Sequence, residues 1–584
     1  MISDFLIHYK FNLKKISSCL LLLIFYIISD KAIAETEKNY ASNAKLNIEK
    51  AIEIDTNWSV YERWAWKQII NGEVVNFNSR DFYKTIDKNK SKKEKPVSSL
   101  SSSFLETILL KKEFSDLISR KGVRIIGAAF EKRLDLSHSD IACEVWLDQC
   151  IFNSDVDFSF AKFNNSISME NSTFQGKVFL NGLSINGQLN LSESTFDEDL
   201  SMDSLKVNSH LFMSELTAKF INLRNAFIEG ELDSRSSQVT YLYIMDNIKI
   251  GENLALSGSK IEDLDLHNAL INGHLDLSDA TVFKNINLVS ANIKKSLLMK
   301  NADIRTGMIM TGANVNDDID LSGSDFKNIL LMDSVTINRN LFLSRSNNIS
   351  RFCNVILSDS IVIGSIYLVD PEYCEDAKLN LRYAKVGLII DSENAWPADI
   401  DINNFIYSGF SSPLNNSIKT AQDRKINWYI EWLKKNQNFS IQPYSQLSKK
   451  LIEQGRANDA NKILFISRRI QHSKTSEVLS WLWQSLQLIF IGYGYKIFYC
   501  LYWFLGFLLI GAFVLNKSGQ GKENNMPFGF SYSFDMLLPF IKLREYHYKN
   551  VELKGWVKYY FYFHQLMGYI LASFLIAGLS GLAK

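Results

Sequence analysis

The feature that most constrains the fold is an eleven-residue repeat in the middle of the chain. Consecutive units read RLDLSHSDI from Arg133, EVWLDQCIF from Glu144, DVDFSFAKF from Asp155 and SISMENSTF from Ser166. Units of the same kind continue, with one-residue slips, to about Tyr407. Positions 2, 4 and 9 of a unit are apolar, and position 7 is commonly Ser or Ala.

This period predicts a parallel β-helix. Positions 2 and 4 are two residues apart, so their side chains point to one face of a short strand, and Asp or Asn at position 3 points to the other. One unit is too short to close around a core, so two units, about 22 residues, make the simplest coil. We therefore expect about 13 coils over residues 122–407, in a rod roughly 60 Å long. The competing solutions are an eleven-residue coiled coil, which the alternation opposes, and a leucine-rich repeat, whose longer signature is missing.

The residues before the repeat predict export and a cap. Residues 1–34 are typical of a secretory signal, with lysines ahead of a short apolar run and the small-residue pattern Ala32-Ile33-Ala34. An uncleaved anchor is the alternative, but the run is shorter than the roughly 18 residues that suggest a span. Residues 35–121 then predict an N-terminal helical cap region and a linker.

The residues after the repeat predict a helical hairpin and a membrane anchor. Residues 408–490 have helical periodicity, and residues 497–515 and 559–582 form two uncharged apolar stretches, each long enough to span a bilayer. The loop between them, residues 516–558, holds seven Lys or Arg, so the positive-inside rule places it in the cytoplasm. We therefore expect a bacterial inner-membrane protein with the β-helix on the periplasmic or outer side.

Charge and cysteines add detail to the rod. The net charge of +1 hides 39 acidic against 23 basic residues between Gly122 and Tyr407. Cys353 and Cys374 are 21 residues apart, close to one coil, so they would stack within the Cα separation of a disulfide. Cys143 and Cys150 are only seven apart and fall on different parts of a coil.

Several segments outside the repeat unit itself carry a resemblance. They are the Trp64-Ala65-Trp66 region with GEVVNFN, the GVRIIGAAFEKRLDLS opening, QPYSQL, GYGYK, and the ending FDMLLPF through FHQLMGYILASFLIAGLSGL. In these the chain resembles an uncharacterised family of bacterial pentapeptide-repeat-like membrane proteins. The resemblance implies a right-handed quadrilateral β-helix, and some members are labelled membrane-associated oxidoreductases. The repeat departs from a five-residue period by one residue in every pair.

Candidate chemistry is sparse. His564, at the start of the last predicted span, is a candidate membrane-site residue because ionisable groups at membrane depth are rare. Asp535 is a second candidate, in the loop between the spans, where the segment from Phe534 to Phe540 is an alternative pore. Gly492-Tyr493-Gly494 is similar to a potassium-channel filter, but it precedes both spans and so predicts a turn. Acidic residues that could form the carboxylate pairs of polysaccharide-cleaving β-helices occur mostly at the outward position 3, which favours a solvated face. They are Asp135, Asp157, Asp263, Asp265, Asp276 and Asp320.

The sequence favours an interaction role over an enzymatic one. Metal-site spacings, dinucleotide fingerprints and the phosphate-binding loop motif are missing, so no cofactor or metal is expected. The leading hypothesis is a non-catalytic envelope scaffold that presents an acidic β-helix to a protein or glycan. The alternative is a membrane enzyme or channel-like protein built on the two C-terminal spans. A nucleic-acid partner is not expected if the rod is exported.

Overall fold

A computed structural model describes residues 57–79, 99–345, 350–412, 424–526, 528–538 and 541–580. The chain forms a parallel β-solenoid of about 13 turns with about 22 residues per coil, and helices flank it at both termini. The eleven-residue repeat predicted this fold, and the prediction is confirmed. Two compact units divide the structure, the first ending at Thr306 and the second beginning at Gly307. The predicted signal, residues 1–34, lies outside the described residues.

The first unit contains the N-terminal helices and most of the short strands. Its helices are α1 (Val60–Asn71), α2 (Ser102–Leu110) and α3 (Lys112–Ser115). Its strands, in chain order, are β1 Val75–Asn76, β2 Ser99–Leu100, β3 Val123–Ile126, β4 Ala129–Phe130, β5 Leu134–Asp135, β6 Asp140–Ile141, β7 Val145–Asp148, β8 Ile151–Phe152, β9 Val156–Asp157, β10 Lys162–Phe163, β11 Ile167–Ser168, β12 Thr173–Phe174, β13 Val178–Phe179, β14 Ser184–Ile185, β15 Leu189–Asn190, β16 Thr195–Phe196, β17 Leu200–Ser201, β18 Lys206–Val207, β19 Leu211–Phe212, β20 Thr217–Asn222, β21 Phe227–Ile228, β22 Leu232–Asp233, β23 Gln238–Ile244, β24 Lys249–Ile250, β25 Leu254–Ala255, β26 Lys260–Ile261, β27 Leu264–Asp265, β28 Leu270–Ile271, β29 Leu275–Asp276, β30 Thr281–Val282, β31 Asn285–Asn287, β32 Asn292–Ile293, β33 Leu297–Leu298 and β34 Asp303–Ile304.

Strands of successive coils pair in parallel and in register. In one sheet β10 pairs with β14 and β11 with β15, while in the other β12 pairs with β16 and β13 with β17. The coils formed by these strands thus carry four short strands, two in each sheet, and in other coils one longer strand such as β20 replaces two of them. Apolar repeat positions fill the interior, as the alternation predicted: Leu134, Leu136 and Ile141, at positions 2, 4 and 9 of the first unit, are at most 1% exposed.

Equivalent side chains stack along the interior of the solenoid. Phe130, Phe152, Phe174 and Phe196 form a continuous buried column, with centroid separations of 5.0, 4.6 and 4.6 Å and nearly parallel rings. Stacks of this kind bury large aromatic area in every coil. The 22-residue spacing of these phenylalanines therefore locks the register between coils.

The polar residue at position 3 shapes the turn that follows each strand. Asp135 Oδ1 accepts a hydrogen bond of 3.0 Å from the backbone N–H of Ser137, and Asp276 accepts one of 2.9 Å from Ser278. One residue further on, position 6 is left-handed, as at His138 with φ 55°. Asx side chains support such turns because they bond the backbone two residues ahead. The polar residue at position 3 therefore stabilises the turn as well as pointing outward.

The N-terminal cap contributes strands to the solenoid. β1 pairs with β3, and β2 pairs with β4, so residues of the predicted helical cap region extend both sheets. Around them, Trp58 packs against Trp66, Phe104 and Phe114 with ring centroids 5.0–5.9 Å apart. The cap thus covers the first coil with an aromatic cluster and protects the sheet edge from pairing with other chains.

The second unit holds the last coils and the C-terminal helices. Its strands are β35 Gly307–Ile309, β36 Asn314–Val315, β37 Ile319–Asp320, β38 Asp325–Leu331, β39 Thr336–Ile337, β40 Leu341–Phe342, β41 Arg351–Ile356, β42 Ile361–Leu368, β43 Glu372–Asn380, β44 Lys385–Asp391, β45 Asp399–Asp401 and β46 Ile406–Ser411. Its helices are α4 Ile426–Lys434, α5 Ile441–Glu453, α6 Ala457–Lys474, α7 Val478–Ile491, α8 Phe498–Lys517, α9 Gln520–Glu523, α10 Phe530–Leu537, α11 Glu545–Lys549 and α12 Trp556–Leu579.

A buried ion pair fastens the last coils to the helices that follow. Arg424 donates to a carboxylate oxygen of Asp391 at 3.0 Å and to its backbone carbonyl at 2.8 Å. The indole of Trp396 donates to the same carboxylate at 2.6 Å. The Asp391 side chain is fully buried, and that of Arg424 is 8% exposed. Because both side chains are buried, the pair ties β44 to the start of α4.

Two helices of the second unit, α8 and α12, are long and apolar enough to cross a membrane. The predicted spans, residues 497–515 and 559–582, overlap them. Only 28% and 33% of the residues in their most apolar stretches are buried, whereas a core helix of a soluble protein would be mostly buried. Phe498, Tyr502 and Phe513 of α8 are 62–75% exposed. Apolar surface of this extent is typical of a membrane or partner interface.

The helix before the first span also belongs with these two helices. The sequence predicts a helical hairpin region over residues 408–490. Helices α5 and α6 form this hairpin, whereas α7 packs against α8 and α12. Its Trp483 and Phe490 stack on Phe574 of α12 at 5.6 and 5.4 Å, and Trp503 of α8 donates to the carbonyl of Ile489 at 3.0 Å. We call α7, α8, α10 and α12 together the apolar helical body.

Candidate functional site

The candidate residues His564 and Asp535 both lie in the apolar helical body, at the short helix α10. This helix packs between α8 and α12 at two close approaches made possible by glycine. A Cβ on Gly511 of α8 would lie 2.2 Å from Ser533 Oγ, and one on Gly568 of α12 would lie 2.2 Å from the carbonyl oxygen of Leu537. No larger residue fits either position without moving α10, so the glycines set the distance between the helices.

His564 joins α12 to α10 through the backbone. Its Nε2 lies 3.0 Å from the carbonyl oxygen of Ser533, and its Nδ1 lies 3.2 Å from the hydroxyl of Tyr560. A carbonyl only accepts, so Nε2 carries the proton and Nδ1 accepts from the tyrosine. The side chain is fully buried. Both ring nitrogens are therefore used in holding the helices together.

Asp535 holds the loop that follows α10. Its carboxylate accepts from the backbone N–H groups of Leu543 and Arg544 at 2.9 and 3.3 Å and lies 2.9 Å from Nδ1 of His547. Tyr548 donates its hydroxyl to the Asp535 carbonyl at 3.0 Å. Asp535 is fully buried and His547 is 3% exposed. The carboxylate thus organises residues 543–548 into a compact turn against α10.

The tyrosines near this carboxylate stay neutral. Burial and, after it, the neighbouring Asp535 carboxylate together raise the pKa of Tyr548 to about 12. Burial likewise raises the pKa of Tyr532, whose ring packs edge-on against His547 at 5.3 Å, to about 12. A phenol with such a pKa remains a hydrogen-bond donor at physiological pH, so Tyr548 is a permanent partner of Asp535.

The two candidates do not form one site. Ser533, which His564 contacts, and Asp535 are two residues apart on α10 and so point to nearly opposite sides of the helix. The structure therefore brings both candidates to α10 and holds each in a separate hydrogen-bonded group. Every polar atom that carries these contacts is already engaged within the protein. This arrangement fits a role in holding α10 in place better than a role in catalysis.

A second, partly buried polar cluster joins α6 and α7, and no motif in the sequence points to it. His472 Nδ1 is 2.7 Å from the hydroxyl of Tyr493, and its Nε2 is 3.1 Å from Ser485 Oγ. Ser485 already donates its only hydroxyl proton to the carbonyl of Trp481 at 2.8 Å. The serine must therefore accept from Nε2–H, so this pair lacks the polarity of a nucleophile and its base.

The same cluster fixes Gly492-Tyr493-Gly494 as a turn, which confirms the prediction from its position in the chain. Tyr493 is left-handed, with φ 56°, and its side chain is 1% exposed. Burial raises the pKa of its phenol, which stays a donor to His472. This conformation is strained for a residue with a side chain, and the His472 bond offsets part of that strain.

Acidic residues of the solenoid stabilise its turns rather than forming a catalytic pair of carboxylates. Asp265 accepts from the backbone of His267 at 3.1 Å and from the side chain of Asn287 at 2.9 Å. Burial raises the pKa of neighbouring Asp263. Over the residues that the structure describes, no group of three or more His, Cys, Asp or Glu is placed to hold a metal ion.

The coil spacing predicts which cysteines of the solenoid meet and which stay apart. Cys353 in β41 and Cys374 in β43 are joined by a disulfide, with Cα atoms 4.8 Å apart. Cys143 and Cys150 are free thiols. Burial raises the pKa of the Cys150 thiol to about 12, which keeps it unreactive.

These features define a class of protein: a parallel β-solenoid that continues into a helical region with two helices able to cross a membrane. No family model matches the chain, and no curated protein or solved structure is significantly similar to it. The functional assignment therefore rests on the geometry alone.

Proposed function

We propose that this protein is a membrane-anchored scaffold of the bacterial envelope, whose solenoid presents an acidic surface to a protein or glycan. The apolar helical body anchors it in the inner membrane, and the solenoid lies on the periplasmic side. The proposal includes membership of the pentapeptide-repeat-like membrane proteins, which the two-unit coil and the order of segments support.

The observation that carries this proposal is the contrast between the polar surface of the solenoid and the apolar surface of α8 and α12. The solenoid buries its apolar positions in every coil and keeps most of its charged side chains at the surface, with Asp233 and Asp391 as buried exceptions, whereas α8 and α12 expose large aromatic and aliphatic side chains. A chain with both surfaces is stable where one part meets water and the other meets lipid. An excess of acidic over basic residues in the solenoid favours a cationic or hydroxyl-rich partner.

The hydrogen-bonded polar groups of the helices support a scaffold over an enzyme. His564, Asp535 and His472 are each saturated by hydrogen bonds inside the protein. A catalytic group needs a free reactive atom facing a cavity. The oxidoreductase label of the resembling family finds no support in these three groups.

Protease accessibility tests the arrangement. The full-length protein is expressed with an epitope in the basic loop, and intact cells, cells with a permeabilised outer membrane and lysed cells are treated with protease. We expect the solenoid to be cut once the outer membrane is opened, while the basic loop, residues 516–558, stays protected until lysis. A soluble periplasmic protein and a cytoplasmic protein serve as controls. Protection of the solenoid until lysis would contradict the proposed orientation.

A further inference from the structure

Two cavities lie beside α12, and they differ in chemistry. The first has a volume of 320 Å³, and its polar lining comes from Tyr532, Glu552, Lys554, Lys558, Tyr562 and Gln565. The second has a volume of 260 Å³ and an apolar lining that includes Leu501, Phe504, Leu538, Leu571, Ala572 and Leu575. We call them the polar cavity and the apolar cavity.

The two cavities follow one another along α12, on neighbouring faces of the helix. The helix contributes residues 558, 561, 562 and 565 to the polar cavity and residues 568, 571, 572 and 575 to the apolar cavity. Steps of three and four residues keep the side chains of each group on one face, and the ten residues between the groups turn that face by about 80°. The centres of the two groups are ten residues apart, which corresponds to about 15 Å along the axis. That distance is about half of the roughly 30 Å hydrocarbon core of a bilayer.

The polar cavity is suited to an anion. Lys554 and Lys558 are exposed, and neither forms an ion pair with any residue that the structure describes. Glu552 contributes one carboxylate to the same lining, so the three groups together carry a charge of +1. The backbone of Lys554 is held in place by Gln520, which accepts from its N–H at 2.9 Å and donates to its carbonyl at 3.1 Å. The backbone of Lys554 is therefore held just before α12, while the Lys558 ammonium on α12 lies 5.9 Å from the centre of the Tyr562 ring.

The apolar cavity lies deeper along the helix and opens between the two spanning helices. Its lining combines α8, α10 and α12 and contains no charged side chain. At this depth the surrounding solvent is lipid, and a cavity with such a lining is filled by hydrocarbon rather than by water. A headgroup bound at the polar cavity would place an acyl chain at this position.

We propose that the two cavities form one binding site for an anionic phospholipid, with the phosphate at Lys554 and Lys558 and an acyl chain in the apolar cavity. Juxtamembrane lysines attract anionic lipids in the adjacent leaflet. The net charge of the polar lining favours a singly anionic headgroup such as phosphatidylglycerol over a zwitterionic one. This inference rests on the proposed membrane anchoring and adds the lipid class that the anchor selects.

Lipid binding to the purified full-length protein tests the site. Native mass spectrometry measures the apparent Kd for phosphatidylglycerol and for phosphatidylcholine in detergent. We expect phosphatidylglycerol to bind at least tenfold more tightly, and the double variant K554A/K558A to lose that preference, because each lysine near the headgroup contributes roughly a fivefold factor. The matched control K517A/K522A, which changes two lysines that line neither cavity, keeps it.

A second pair of variants separates the acyl site from simple charge attraction. Ala572→Phe fills the apolar cavity and should weaken phosphatidylglycerol and phosphatidylcholine alike by about fivefold, whereas Ala577→Phe, outside the lining, should change neither. Equal affinity of the wild type for both lipids, unchanged preference in K554A/K558A, or displacement of the lipid by millimolar inorganic phosphate would each overturn the proposal. Retention of the chain in carbonate-washed membranes is measured in parallel. If the protein stays in the washed membranes but shows no lipid preference, only the lipid site is contradicted. If the wash extracts the protein, the proposed membrane anchoring is contradicted as well.

Discussion

Cys353 and Cys374 lie on paired strands of successive coils, with Cα atoms 4.8 Å apart, and a disulfide joins them across the coil. The separation is the spacing of neighbouring strands in a sheet, so the two cysteines meet because their distance along the chain matches one coil. A disulfide of this kind forms in an oxidising compartment. The disulfide therefore agrees with the proposed periplasmic location of the solenoid.

The first prediction concerns this bond. Cys353→Ser should remove the disulfide and lower the free energy of unfolding by about 3 kcal/mol, since the bond closes a loop of 21 residues. Mobility on non-reducing gels and thiol alkylation under denaturing conditions report the bond, and denaturant titration in detergent reports the stability. Cys143→Ser, at a free cysteine, is the control and should leave both unchanged. Full alkylation of both cysteines in wild-type protein from membranes would count against the bond.

The buried ion pair at the end of the solenoid gives a second prediction. Arg424→Met should lower the free energy of unfolding by about 3–5 kcal/mol, because it leaves the carboxylate of Asp391 buried without its cation. Arg382→Met removes an exposed pair with Asp401, 3.8 Å apart, and should cost less than about 1 kcal/mol. Thermal unfolding of the two variants in the same detergent makes the comparison. Equal losses would show that the Asp391 pair has no special role.

The close packing of α10 against α12 gives a third prediction. Gly568→Leu should lower stability by about 1–3 kcal/mol, because its Cβ would lie 2.2 Å from the carbonyl oxygen of Leu537 and displace α10. Gly506→Leu on α8 is the matched control, since nothing lies within 4 Å of its Cβ position. Melting temperature in detergent distinguishes them. A similar shift for both variants would indicate that Gly568 is not a contact point.

The role of Asp535 gives a fourth prediction. Asp535→Ala should leave the N–H groups of Leu543 and Arg544 and the ring of His547 without their acceptor, and so loosen residues 543–548. We expect trypsin to cut after Arg544 at least tenfold faster in detergent-solubilised protein. Glu523→Ala changes an exposed acid away from the scissile bond and should leave the cleavage rate as in the wild type. Unaltered cleavage in Asp535→Ala would argue for a role of this carboxylate other than positioning the loop.

The candidate residues show how far local sequence can reach. The rarity of ionisable groups at membrane depth singled out His564, and a place in the loop between the spans singled out Asp535. Both are indeed buried, but the sequence had no means of showing that Ser533 and His547 complete their hydrogen bonds. Those partners lie 31 and 12 residues away. The same holds for Tyr493, whose partner His472 is 21 residues away on another helix. Contacts between separate helices depend on packing that a helical period does not encode.

The solenoid could be predicted from the repeat because the same residue types recur at the same positions of every coil. Apolar side chains at positions 2, 4 and 9, an Asx side chain at position 3 and a left-handed residue at position 6 recur at intervals of eleven, so a single line of sequence specifies the strand, the turn and the register of the next coil. Sequence alone thus determined the solenoid, its coil length and the meeting of Cys353 with Cys374. Tertiary structure decided the rest, namely the strands β1 and β2 of the cap, the docking of α7 on α8 and α12, and the placement of α10, because these depend on non-repeating contacts between segments far apart in the chain.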